Sequence, residues 1–250
     1  MPRFFVAQES VSAEDITIVG DDVNHIKNVL RMREGEKLTL TCGRGIDYEC
    51  SIHLIGDDSI ICKIEQETPV QTELPVEIVL YQALPKGDKM DLIVQKAVEL
   101  GAAKIVPVKT KRCVVKYDGK KSAKKVSRWQ EIARSAAKQS GRGIIPEITD
   151  IMTYDMALQS AEKLDIVLFP YEMCDMTLTS GAIIRDATDK SSIGIFIGPE
   201  GGFETSEVDQ ATDAGARTIS LGKRILRTET AGLAILSILM FMIEDKSLER

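Results

Sequence analysis

The sequence predicts an α/β protein, with a short all-β N-terminal region followed by a larger region in which strands and helices alternate around a parallel sheet. Three observations carry this. Up to about residue 70 the chain runs in short alternating segments divided by glycine turns. From Val76 the rhythm changes to strand, helix, strand, the pattern of a parallel sheet covered on both faces. Near the C-terminus two glycine-bearing segments each follow an apolar strand-like run. They are Gly198-Pro199-Glu200-Gly201-Gly202-Phe203 and Leu221-Gly222-Lys223-Arg224-Ile225-Leu226-Arg227-Thr228-Glu229-Thr230-Ala231.

In the first region, strands are expected at 17–19, 37–41, 48–55 and 59–64, which a small β-barrel would close. A helix over 21–30 interrupts them, with Asp21 as cap and Val23, Ile26, Val29 and Leu30 as its apolar face. The polar, proline-bearing stretch 67–75 reads as a linker, giving domains at 1–70 and 76–250. In the second region, strands are expected at 76–81, 105–108, 165–169, 193–197 and 218–221. A helix over 89–100 ends at Gly101, and others follow near 127–140, 205–214 and 229–243.

Composition narrows the function classes. A chain of 250 residues, 44% hydrophobic and 28% charged, is an ordinary globular protein. The apolar stretch 231–243 is too short to span a bilayer, and residues 1–5 lack the apolar core of a secretion signal, so a cytoplasmic location is expected. The odd set Cys42, Cys50, Cys62, Cys113 and Cys174 contains no Cys-x-x-Cys pair, and there are two histidines. Reduced structural thiols and no metal site are expected. Net charge is −6, yet 104–142 holds thirteen Lys or Arg against Asp118 and Glu131, so this segment carries +11 and the rest −17. Such a segment can steer a polyanion, and it serves equally as a solvated lysine-rich loop.

Neither glycine segment has the spacing of a dinucleotide fingerprint or a P-loop. Three glycines in 198–203 exceed what one sharp turn requires, and in open α/β sheets ligands bind beyond the carboxyl ends of strands. Arg227 and Glu229 stand at the mouth of the last helix, whose first N–H groups favour anionic atoms. Surface capping by Thr228 and Thr230 explains the same residues equally well.

Gly-Pro-Glu-Gly-Gly-Phe followed by Leu-Gly-x-Arg-Ile-Leu-Arg-x-Glu-Thr-Ala resembles the bacterial 16S rRNA uracil-N3 methyltransferases of the SPOUT superfamily. Arg3-Phe4-Phe5, 25–31, 86–91, 96–101, Arg128-Trp129 and 139–142 match the same family in the same order, so the resemblance spans nearly the whole chain. It implies an N-terminal PUA-like RNA-binding barrel, a SPOUT domain with a C-terminal trefoil knot, S-adenosylmethionine as methyl donor and a homodimer. The implied substrate is the decoding-region uridine of 16S rRNA in the assembled small ribosomal subunit.

The resemblance also implies roles. The cofactor would lie against Leu168, Phe169 and Pro170, against Ile197, Gly198, Pro199, Glu200, Gly201 and Gly202, and against Leu221, Gly222, Ile225, Leu226, Arg227 and Thr230. Arg227 would stabilise the uracil anion, and Glu229 would act as base or orient Arg227. RNA contacts are expected from Arg3, His25, Lys27, Arg31 and Arg33, and from Lys111, Arg112, Arg128, Arg134 and Arg142. His25 alone reads as readily as a packed helix residue. Two rivals remain: a non-catalytic RNA-binding assembly factor, and a SPOUT enzyme acting on tRNA or 23S rRNA.

Overall fold

The computed structural model describes residues 1–115, 117, 119–172 and 179–248. It divides into two compact units, Met1–Glu73 with Ala137–Ile145, and Leu74–Ala136 with Pro146–Arg250. Cys174, and Lys116 and Asp118 of the basic segment, lie outside the described residues.

The first unit is a five-stranded sheet of β1 (Arg3–Phe5), β2 (Asp15–Val19), β3 (Lys37–Thr41), β4 (Ile46–Ile55) and β5 (Ser59–Pro69), in the order β1-β3-β4-β5-β2. β1 pairs parallel to β3 and the other ladders are antiparallel. The edge strands β1 and β2 do not pair with each other, so the sheet is a curled half-barrel rather than the closed barrel expected. Its inner face buries Ile16, Ile18, Leu38, Leu40, Ile52 and Ile60, while Cys50 and Cys62 pack beside them as free thiols. Burial pushes these thiols up, to about 12 for Cys50 and about 11 for Cys62, so both are inert hydrophobes at neutral pH.

Two local expectations change here. The predicted helix over 21–30 is one α turn, α1 (Asp21–Asn24), followed by a π turn over His25–Val29. The wider turn lets Leu30 N–H reach the His25 carbonyl at 2.9 Å. Val23 and Ile26 are buried as expected, but Val29 and Leu30 are 63% and 42% exposed. The chain then leaves through Arg31 at φ 54°. The predicted linker also begins too early, because β5 continues to Pro69. Proline is tolerated there because β2 pairs only with residues 59–63, leaving that side of β5 without a ladder.

The second unit contains β6 (Glu77–Ala83), α2 (Lys89–Glu99), β7 (Lys104–Lys109), α3 (Gly119–Ser140), β8 (Glu147–Ile148), β9 (Met152–Thr153) and α4 (Tyr154–Ala161). It continues through β10 (Ile166–Pro170), α5 (Thr179–Ala187), β11 (Ser192–Ile197), α6 (Thr205–Asp213), β12 (Arg217–Ile219) and α7 (Thr228–Leu248). The residues of α3 from Ala137 onward belong to the first unit. All ladders are parallel, in the order β12-β10-β11-β6-β7-β8, with β9 also on β7. Continuous apolar strands such as β6 and β11 follow from burial on both faces, where Tyr81 stacks on Phe196 at 4.4 Å. α3 starts eight residues before the prediction. Apolar periodicity marks only its buried half, around Trp129 and Ala133, and solvated lysines extend the helix without an apolar partner.

Candidate active site

The strand order sets β10 between β12 and β11, with β6 next in line, so the loops leaving their carboxyl ends converge on one edge of the sheet. Tyr171–Glu172 follows β10, Gly198–Phe203 follows β11, and Ser220–Arg227 follows β12. Between them lies a cleft of about 540 Å³, lined by Lys89, Pro170, Glu172, Ile197 to Phe203, Ile225 to Thr228 and Ala231. A smaller recess of about 110 Å³, lined by Pro170 to Glu172, Ser220 to Leu226 and Ala231, shares five residues with it and continues the same cleft.

Three of the residues lining the cleft are glycines, Gly198, Gly201 and Gly202. Gly202 has φ +67°, and a Cβ there would lie 3.1 Å from Glu172 Oε1, so glycine permits both the turn and the approach of the two loops. The Gly198 carbonyl accepts the Thr228 hydroxyl at 2.6 Å, and Thr228 Oγ1 in turn accepts Gln82 Nε2 at 2.9 Å. Gln82 was missed in the sequence reading. The available signal was one amide inside the apolar run 78–83, since a fully buried amide needs a partner.

Arg227 precedes the first residue of α7, and its carbonyl accepts the N–H groups of Thr230 and Ala231. Arg227 lines the cleft, is exposed, and makes no ion pair among the described residues. No ion pair joins Glu229 to it among the described residues. Glu229 Oε2 instead lies 3.3 Å from Lys89 Nζ, a residue the sequence reading had not singled out as functional. Lys89 also donates to Glu200 Oε1 at 2.9 Å, and Lys86 N–H to the same oxygen at 3.1 Å. Burial pushes the Glu200 carboxyl up, but hydrogen bonds from Lys89 and the backbone outweigh it and hold the group below its ordinary value. The bond to Glu200, with Glu229 adding to it, raises Lys89 against the opposing effect of burial.

Of the residues expected around the cofactor, Pro170, Ile197 through Gly202, Leu221, Gly222, Ile225, Leu226 and Arg227 line this cleft. Leu168 and Phe169 do not. Both are fully buried in β10, where Phe169 packs against Phe196 and Phe203 beneath the cleft floor. Thr230 is exposed on α7 and also lies off the lining.

The expected RNA residues separate in the same way. Arg31 and Arg33 are exposed without ion pairs among the described residues, His25 is exposed edge-on to Phe4, and Lys27 pairs with Asp57 at 3.1 Å. Arg3 and Arg142 are instead engaged within the first unit. Arg3 is held by Asp47 and the Gly141 carbonyl, and Arg142 is buried with Nη2 2.5 Å from Glu73 Oε2. A guanidinium already desolvated by a carboxylate is not presented to a phosphate. In the second unit, Lys111 and Arg112 are exposed beside the glycine loop, with Arg112 Nη1 donating to the Gly201 carbonyl at 2.9 Å. Arg128 pairs with Asp91 at 2.5 Å, and Arg134 stands 3.9 Å from Glu131. Among the described residues no group of three His, Cys, Asp or Glu could hold a metal, and no helix is long and apolar enough to cross a membrane.

Residues 72–240 match the RNA methyltransferase domain family, and residues 18–65 match the RNA methyltransferase PUA domain family. The Ribosomal RNA small subunit methyltransferase E of Bacillus subtilis is 36% identical over 250 residues, covering 98% of each chain. Its namesake in Mycobacterium tuberculosis is 31% identical over 217 residues, covering 87% of this chain and 82% of the other. A crystal structure of the Neisseria gonorrhoeae Ribosomal RNA small subunit methyltransferase E bound to S-adenosyl methionine is similar at TM-score 0.82. It is 35% identical, covering 96% of this chain and 97% of that one. A Legionella pneumophila structure with bound SAM is similar at TM-score 0.80 and 34% identity, covering 95% and 96%.

Proposed function

The chain belongs to the RNA methyltransferase family that includes ribosomal RNA small subunit methyltransferase E, and from that membership we propose that it transfers a methyl group from S-adenosylmethionine to N3 of the decoding-region uridine of 16S rRNA in the assembled small subunit. The observation that carries the reading is Arg227, exposed and without an ion pair among the described residues, on a cleft built by three strand-end loops. The residues fit the cofactor. Ile225, 86% exposed, and Leu226 offer apolar surface to an adenine, and the close-set Gly202 and Glu172 leave a cradle that a side chain at position 202 would fill. When bound, S-adenosylmethionine supplies an electrophilic methyl group on a sulfonium.

The chain's own task is to hold the acceptor in line and to favour loss of the weakly acidic N3 proton. Arg227 does this by a charge-assisted hydrogen bond to the developing uracil anion. Glu229, beside Lys89, is the carboxylate at hand to take the proton. Residues 1–70 serve as the PUA-like RNA-binding unit and 76–250 as the SPOUT unit. Phosphates engage Arg31, Arg33, Lys111, Arg112, Arg128 and Arg134, with His25 and Lys27 beside them. The placement of β12 outside β10 supports reading this end of the chain as a trefoil knot. The exposed Ile238 and Phe241 on α7 support a homodimer that covers them. The protein acts in the cytoplasm, where its substrate is.

In a strain lacking the protein, nucleoside digests of 16S rRNA should lose 3-methyluridine and regain it on complementation. Intact 3-methyluridine, with another nucleoside lost from tRNA or 23S rRNA, would overturn the assignment of atom and substrate.

A further inference from the structure

Lys89 opens α2, and its ammonium separates two carboxylates that reach it from distant parts of the chain. Glu200, at 2.9 Å, belongs to the glycine loop after β11; Glu229, at 3.3 Å, belongs to the first turn of α7. The three side chains are 32%, 29% and 16% exposed, so solvent screens the group only in part. Glu200 keeps a second donor in Lys86 N–H. Glu229 Oε2, by contrast, is closed off from solvent and has no hydrogen bond among the described residues, so the Lys89 charge is what offsets its burial. Without that charge the two carboxylates would face each other across the space it fills, and an orphaned half-buried carboxylate costs more than the pair gains.

We propose that Lys89 is a positioning residue whose charge clamps the glycine loop 198–202 to the first turn of α7, so that the cleft keeps its binding shape before a ligand arrives. The proposal rests on the reading above only for the identity of the ligand. It assigns the effect to the ammonium and not to the aliphatic stem, because both contacts are made by Nζ.

Two readouts on the full chain test it. In ligand-free protein, amide hydrogen exchange at 198–202 and 228–231 should be about tenfold faster in Lys89→Met, which keeps the stem, and near wild type in Lys89→Arg. Lys89→Met combined with Glu229→Gln should recover most of the protection, because the second change removes the orphaned charge. Calorimetric affinity for S-adenosylhomocysteine should follow the same order, with about a tenfold loss in Lys89→Met. A Lys89→Met protein that exchanges and binds like wild type, or a double variant no better than Lys89→Met, overturns the clamp. Wild-type protein that shows the exchange pattern but binds neither S-adenosylhomocysteine nor S-adenosylmethionine would support the clamp and overturn the proposed cofactor.

Discussion

The hydroxyl of Thr228 donates to the carbonyl of Gly198 at 2.6 Å, joining the first residue of α7 to the first residue beyond β11. Both belong to the cleft lining, so the bond that closes the fold at this point also sets the distance between two of the loops that build the site. Gln82 stabilises it from the strand below.

Thr228→Val keeps the shape of the side chain and removes this link, leaving the buried Gln82 amide and the Gly198 carbonyl each short of a partner. A loss of about 1–3 kcal/mol is expected from denaturant unfolding. Thr228→Ser should lose less than Thr228→Val, since it keeps the hydroxyl; equal losses would mean that packing of the methyl group, and not the hydrogen bond, holds the loops.

Arg227→Ala should lower kcat by about 10²–10³, the usual effect of removing one donor to a developing anion. Affinity for S-adenosylhomocysteine should stay within about threefold, because the other residues lining the cleft remain in place. Parallel loss of affinity and turnover would recast Arg227 as a cofactor residue.

The arginines expected to meet RNA should divide in two. Arg31→Ala with Arg33→Ala should reduce the slope of log affinity against log salt by about 1–2, one for each phosphate no longer neutralised, without changing stability. Arg142→Ala should leave that slope alone and destabilise the first unit by about 3–5 kcal/mol, because Glu73 is left partly buried without its charge partner. A change in slope from Arg142→Ala would return that residue to the RNA interface.

Acid should loosen the glycine loop. The Glu200 carboxyl lies below its ordinary value in the folded protein, so its contribution to stability is present above that ordinary value and is lost as pH falls through the lowered one. Glu200→Gln should flatten the acid limb of the stability–pH curve. An unchanged limb would show that Glu200 contributes nothing to it.

What could be read from the chain alone was the signal carried by neighbouring residues. Three glycines after the apolar run of β11, and Arg and Glu at the mouth of α7, mark loops and a helix start within one segment. The cleft could therefore be located to its loops. Leu168 and Phe169 lie off the cleft lining because a central parallel strand is apolar on both faces, and sequence does not say which end of it meets a ligand. Arg3 and Arg142 look like any basic residue until Asp47 and Glu73 come beside them, from 44 and 69 residues away. Lys89 was unreadable for the same reason, since its two carboxylates lie more than a hundred residues further along. The half-barrel was expected closed because alternation specifies strands and faces but not whether the two edges meet.

The most direct measurement incubates small ribosomal subunits from a strain lacking this protein with the purified chain and methyl-labelled S-adenosylmethionine, then digests the 16S rRNA to nucleosides. Label is expected in 3-methyluridine, and Arg227→Ala should slow its incorporation by about 10²–10³. Label in another nucleoside, or none on subunits to which the protein binds, would contradict the proposed activity.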